Sequence, residues 1–154
     1  MWKGNVVAIS ITGEGSAPMQ SVEQVKAIAG QGLEGDRYCS KNGSFSDNAN
    51  TTGRQVTLIE SEAIDAAVRD YKAEVEYKDT RRNIVTRGVP LNHLIGEEFQ
   101  VGEVRMRGVR LNEPCSHLAG LTSDKVKAGL VHRGGLRADI LNDGTIRVGD
   151  AIEG

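Results

Sequence analysis

Only two of the 154 residues are cysteine, Cys39 and Cys115. They lie far apart and no C-x-x-C pair occurs, which argues against a disulfide framework and against a structural zinc knuckle. Reduced thiols in a cytoplasmic protein are therefore expected. Excess charge is also missing: 19 basic and 21 acidic side chains leave a formal charge of −2. Such a chain has no general attraction to nucleic acid or to an anionic membrane, neither is expected as a partner, and any anion site must be built locally. Long apolar runs are absent as well. The opening MWKGNVVAISITGEG carries one lysine and a short apolar stretch broken by polar residues and glycine, unlike a signal-peptide core or a membrane span. No G-x-G-x-x-G or Walker pattern stands between a strand and a helix. What remains has the size of one ordinary domain, 16.6 kDa, able to bury a core without covalent staples.

Glycine is abundant, with 19 residues against an ordinary frequency of roughly 7%. Most of it separates short apolar stretches, the punctuation of a β-rich chain. Val6 to Ile11 and Val22 to Ile28 are expected strands, and Gln55 to Ile59 is a third. Residues 38 to 53, YCSKNGSFSDNANTTG, are nearly devoid of apolar content and are expected to form one long loop, either functional or disordered. In ESEAIDAAVRDYKAEV, Ala63, Ile64, Ala67, Val68 and Tyr71 recur at helical spacing with charges opposite, which predicts the one main helix. After Tyr77 strands return in RRNIVTRG, EEFQVGEVRMRGVRL and LRADILNDGTIRVGDAI. Asn142-Asp143-Gly144 between two alternating runs predicts a hairpin. The fold class is thus mainly β, a closed or half-closed barrel with one main helix.

Four stretches join glycine, proline or charge to a strand end: QGLEGDRY at 31 to 38, RRNIVTRG at 81 to 88, NEPCSHL at 112 to 118, and HRGGLRADIL at 132 to 141. Pro114 lacks an N–H and is expected to turn the chain out of its strand at Cys115. Positive charge near that thiol would favour the thiolate, a nucleophile and a soft metal ligand. Arg54, Arg82, Arg87 and Arg133 can grip phosphate or carboxylate with their forked donors, and Gly134 and Gly135 would let backbone N–H groups approach an anion. Plainer readings stand beside these. A lone cysteine is often a small buried hydrophobe, and Cys39 is an incidental thiol on the same view. Arg81-Arg82 is then a solvated strand end, Glu34 and Asp36 are turn formers, and His93 is a turn residue. His117 and His132 do not show a diagnostic Cys/His spacing.

Taken in order, GLEGDR, RQVTLIESEAI, RRNIVTRGVPLNHLIGEEFQVGEV, EPC and HRGGLRADILNDGTIRVGDAI resemble the MOSC domain, named after the C-terminal part of molybdenum cofactor sulfurases, in its small stand-alone bacterial type. The resemblance covers nearly the whole chain, so residues 1–154 are expected to be a single MOSC domain with a barrel-like fold, one main helix and short helical turns. It implies a pocket for a molybdenum-pterin cofactor, with Cys115 as both catalytic residue and molybdenum ligand. Arg82, Asn83 and Arg133, with Arg54 and Gly134, are implied to hold the pterin and its phosphate. The implied activity is reduction of N-hydroxylated or N-oxide compounds. Two alternatives remain: a sulfur carrier bearing a persulfide on Cys115, served by a sulfur-donor protein, and a module that binds the cofactor without turnover. Tyr38 is a departure, since some relatives carry histidine after GDR. No segment resembles a ferredoxin or flavin module, so a reductase would need separate electron-transfer proteins. Pyridoxal phosphate is not expected in this chain.

Overall fold

Alternation of buried and exposed side chains governs the strands. In β8 (Val104–Leu111) Val104, Met106 and Gly108 are buried while Arg105, Arg107 and Arg110 are exposed, and in β9 (Leu136–Ile140) Leu136, Ala138 and Ile140 are buried. A computed structural model describes residues 2–13, 17–40, 53–72, 75–112, 129–130 and 132–154. The remaining strands are β1 (Lys3–Ile11), β2 (Gln20–Val22), β3 (Gln24–Ile28), β4 (Gly32–Leu33), β5 (Val56–Glu60), β6 (Ile84–Arg87), β7 (Glu98–Val101), β10 (Gly144–Arg147) and β11 (Ala151–Glu153), with helices α1 (Arg37–Ser40) and α2 (Ser61–Tyr71). Tyr77–Thr80 and Leu91–His93 form short 3-10 turns.

Seven strands close a barrel in the order β1-β6-β5-β9-β8-β7-β11, and β11 returns to β1. Closure removes the open edges of the sheet. Every neighbouring pair runs antiparallel except β5 and β6, which are parallel because α2 carries the chain between them, as a parallel pair requires. β2 extends β1 at Ile9–Ile11, while β10, β3 and β4 make a separate small sheet. Ile9, Leu58, Ile84, Phe99, Met106, Leu136 and Ile146 are fully buried in the main core, each contributing about 1.5–3 kcal/mol by leaving water. Ile64 and Ala67 of α2 pack with Ile59, Val85 and Leu130 in a second cluster. No helix among the described residues is long and apolar enough to cross a membrane.

The barrel and the main helix agree with expectation, and four local features do not. The predicted strand from Val22 to Ile28 divides at Glu23, with one part on the barrel and one in the small sheet. Residues 37–40 are helical, so the expected loop loses its first residues, and most of its remainder lies outside the described residues. The hairpin at Asn142-Asp143-Gly144 does not form, because β9 pairs with β5 and β8 while β10 pairs with β3. The turn side chains engage other segments instead. Asn142 accepts from the Arg105 N–H at 2.6 Å and donates to the Glu103 carbonyl, and Asp143 accepts from the Ala29 N–H at 2.8 Å. Within α2, Val68 and Tyr71 are exposed and Ala66 takes their place in the buried face.

Gly135 has φ +108, and a Cβ there would collide with the Leu58 carbonyl. Gly96 has φ +78 with open space around it. Gly135→Ala is expected to destabilise the fold by more than about 3 kcal/mol, combining steric and backbone strain. Gly96→Ala should cost only about 1–2 kcal/mol. Denaturant unfolding of the two variants checks the difference.

Candidate functional site

A row of polar residues crosses the outside of the barrel. The Ser10 N–H donates to the Asn83 carbonyl at 2.7 Å and the Asn83 N–H to the Thr57 carbonyl at 3.1 Å. Thr57 faces Arg137, and Arg137 faces Arg110. The row therefore runs Ser10, Asn83, Thr57, Arg137, Arg110 over β1, the entry to β6, β5, β9 and β8. Asn83 is fully buried. Its Oδ1 accepts from the Thr57 N–H and hydroxyl at 3.0 and 3.1 Å, and its Nδ2 donates to the Ser10 carbonyl at 3.1 Å.

The GDRY segment packs onto this row. Asp36, expected to be a turn former, is fully buried instead. Its carboxylate accepts from the N–H groups of Thr12 at 3.1 Å and Tyr38 at 3.3 Å, and from the Asn83 side chain. Burial pushes its pKa up, with Arg37 and the hydrogen bonds opposing. Arg37 is buried as well: Nη1 donates to the Met19 sulfur at 3.2 Å, Nη2 donates to the Arg81 carbonyl at 3.1 Å, and the guanidinium stacks 4.5 Å from the centre of the Tyr38 ring. The Tyr38 hydroxyl lies between Arg37, whose Nη2 is 3.5 Å away, and Arg137. Burial alone would raise its pKa, but the two guanidinium charges and their hydrogen bonds bring it below the usual tyrosine range.

Arg81 completes this end of the row. It adopts φ 62 after the Tyr77–Thr80 turn, its Nη1 donates to the Ala17 carbonyl, and its Nη2 is buried without a hydrogen-bond partner among the described residues. Burial and the nearby Arg37 lower its pKa. At the other end Arg110 is likewise lowered by burial, Arg137 and Arg54. Cationic donors thus gather on one side of the barrel, and such a cluster favours an oxyanion.

The sequence-derived residues divide between two places. Arg82, Asn83, Arg54 and Gly134 lie on or against this row. Arg82 is buried and donates from Nε to the Gly134 carbonyl at 2.8 Å, from Nη1 to the Thr80 carbonyl at 3.3 Å, and from Nη2 to the Asn112 carbonyl at 2.7 Å. It is no solvated strand end: it ties together three segments, including the exit of β8 that leads to Glu113 and Pro114. Gly134 presents its carbonyl to Arg82. Arg133 is exposed, with Nη2 3.5 Å from the Gly129 carbonyl, and it acts on Glu60 and Asp70. Arg54 precedes β5 and Glu60 ends it, about 20 Å of extended chain apart. Cys115, with His117, lies outside the described residues. Cys39 is half-buried in α1 and forms no disulfide among the described residues, and His93 is exposed in its turn. An open cavity of about 500 Å³ lined by Trp2, Pro90, His93, Leu94, Glu97 and Glu98 contains none of the arginines above.

Arg37, Arg81, Arg110 and Arg137 were not singled out by sequence as a group. Arg137 stands between the buried Leu136 and Ala138 on an alternating strand, and Arg110 lies exposed near the end of β8, so both face outward, but only register brings them together.

Two titrations test this arrangement. The chain has three tyrosines, and the earliest phenolate transition in an ultraviolet titration should vanish in Tyr38→Phe and move to higher pH in Arg137→Gln. Asp36 has a folded-state pKa raised above its ordinary 3.8. The stability it contributes is therefore fully present below that value and declines as pH rises through the folded-state pKa. Denaturation curves across mildly acidic pH should show this decline flattened in Asp36→Asn.

Comparison with solved structures places the fold among known ones. The YuaD protein from Bacillus subtilis superposes with a TM-score of 0.81 at 15% identity, covering 99% of this chain and 97% of that one. YiiM from Geobacillus stearothermophilus gives 0.73 at 15% identity over 97% of this chain and 74% of its own. YiiM from Escherichia coli gives 0.63 at 19% identity over 97% and 68%. No curated protein matches the chain in sequence. The family pattern of the MOSC domain matches residues 41–153, and with it the chain belongs to the MOSC domain family, a family associated with molybdenum-cofactor-related proteins.

Proposed function

We propose that Arg37 and Arg81 hold the phosphate of a molybdenum-pterin cofactor, that Cys115 supplies a sulfur ligand to the metal, and that the protein reduces N-hydroxylated or N-oxide compounds in the cytoplasm. The observation that carries this is the Nη2 of Arg81, buried and without a hydrogen-bond partner among the described residues, on a guanidinium that burial and the neighbouring Arg37 make costlier to charge. A buried donor without an acceptor costs about 1–3 kcal/mol, and a phosphate oxygen is the acceptor that would relieve both penalties. The residues fit the anionic end of such a cofactor.

In this proposal Arg37 and Arg81 bind the phosphate, and Tyr38 fixes the plane of Arg37 by stacking. Arg82 and Asn83 act by holding the frame: Arg82 fixes Asn112, three residues before Cys115, and Asn83 seats Asp36. The bound cofactor would supply two-electron chemistry at molybdenum. The electrons would come from separate electron-transfer proteins, and the substrate would be a small molecule.

Molybdenum per chain, measured by elemental analysis after expression in a cofactor-competent host, tests the proposal. Near-stoichiometric metal is expected in the wild type, almost none in Cys115→Ala, and roughly tenfold weaker retention in Arg81→Gln, as for loss of a charge-assisted hydrogen bond. Absence of metal from the wild type would overturn it and turn attention to persulfide formation on Cys115.

A further inference from the structure

Arg110 and Arg137 stand directly opposite each other across β8 and β9. Like charges at opposed positions of an antiparallel pair repel. Among the described residues neither forms a salt bridge with a carboxylate. Asp139 partly offsets Arg110, but its Oδ1 already accepts the Gly53 N–H at 2.7 Å. Arg137 reaches the Gly53 carbonyl at 3.5 Å and the Tyr38 hydroxyl.

Backbone irregularities accompany these arginines. A register shift lies between Gly108 and Arg110, the kind of bulge that re-aims a side chain. Gly53 sits at φ +72, where a Cβ would come within 2.7 Å of the Arg110 Nη1. Glycine at 53 therefore leaves the room that the Arg110 guanidinium occupies. Arg54 follows immediately and adds a third positive charge to the group.

We propose that Arg110 and Arg137, with Arg54 beside them, form a second oxyanion site, separated by Tyr38 from Arg37 and Arg81, which takes a carboxylate or phosphate carried by the substrate. The preferred substrates are then anionic N-hydroxylated compounds. This rests on the assignment of the Arg37–Arg81 end to the cofactor's phosphate, and the test separates the two.

Arg110 is exposed, so Arg110→Gln should fold; Arg110→Lys retains the charge as a second variant. The chain is titrated with inorganic orthophosphate by calorimetry at low ionic strength, where such contacts are least screened. Two binding events are expected in the wild type, one of them weakened about tenfold in Arg110→Gln and kept in Arg110→Lys, the other weakened in Arg81→Gln. An Arg110→Gln titration identical to wild type would overturn the proposal. Molybdenum content should be unchanged in Arg110→Gln; loss as severe as in Arg81→Gln would assign these arginines to the cofactor and also overturn it. In metal-loaded protein, KM for an N-hydroxylated substrate bearing a carboxylate should rise about tenfold in Arg110→Gln, with kcat and the KM for its methyl ester unchanged; an equal rise for the ester would count against the proposal. If the wild type proves free of molybdenum the cofactor assignment fails, and the orthophosphate titration alone decides this site.

Discussion

One buried amide, the side chain of Asn83, holds together the part of the barrel on which the arginines stand. β6 begins only at Ile84, so at the level of Ser10 and Thr57 no regular strand lies between β1 and β5. Asn83 supplies what a strand would have supplied, accepting from Thr57 and donating to Ser10. Without it a buried N–H and a buried carbonyl would lose partners, at about 1–3 kcal/mol each. The same side chain reaches the Asp36 carboxylate, and that carboxylate in turn positions the N–H groups of Thr12 and Tyr38. Frame and charged groups are thus two levels of one construction, with the neutral amide beneath the ions.

Charge is handled differently elsewhere on the molecule. Lys3 pairs with Glu153 at 3.1 Å and Arg69 with Asp70 at 2.7 Å, in both cases with exposed side chains. Such pairs are common and contribute little. On the arginine row, by contrast, guanidinium groups outnumber the carboxylates on a partly buried surface, Asp36 lying 3.5 Å from Arg37, and Arg81 and Arg110 are both shifted toward losing their protons. A chain with a formal charge of −2 concentrates positive potential there without becoming basic overall.

How much of this was legible in the sequence followed from the range of each interaction. β1 and β5 were readable because β-branched runs declare a buried strand locally, and α2 because Ala63, Ile64 and Ala67 repeat at the helical period. The turn at Asn142-Asp143 was misread because its side chains bond to Arg105, Glu103 and Ala29, none of them nearby in sequence. Asp36 resembled a turn former for the same reason, since nothing in GLEGDR shows that Thr12 and Asn83 will close over it. The importance of RRNIV was visible through its family resemblance, but what Arg82 touches was not. Arg110 and Arg137 stayed hidden because only strand register makes them neighbours.

The barrel is closed by its first and last strands, Lys3 pairing with Glu153 and Asn5 with Ala151. The ring therefore cannot be completed until almost the whole described chain has been synthesised. Bringing those ends together across about 150 residues costs roughly 4 kcal/mol of loop-closure entropy before any constant term. A nascent chain still lacking β11 would expose two unpaired strand edges, on β1 and β7, each a template for pairing with another molecule. Closure of the β1–β11 seam is thus a late step in biosynthesis, and until it occurs the two edges stay open to pairing with another molecule.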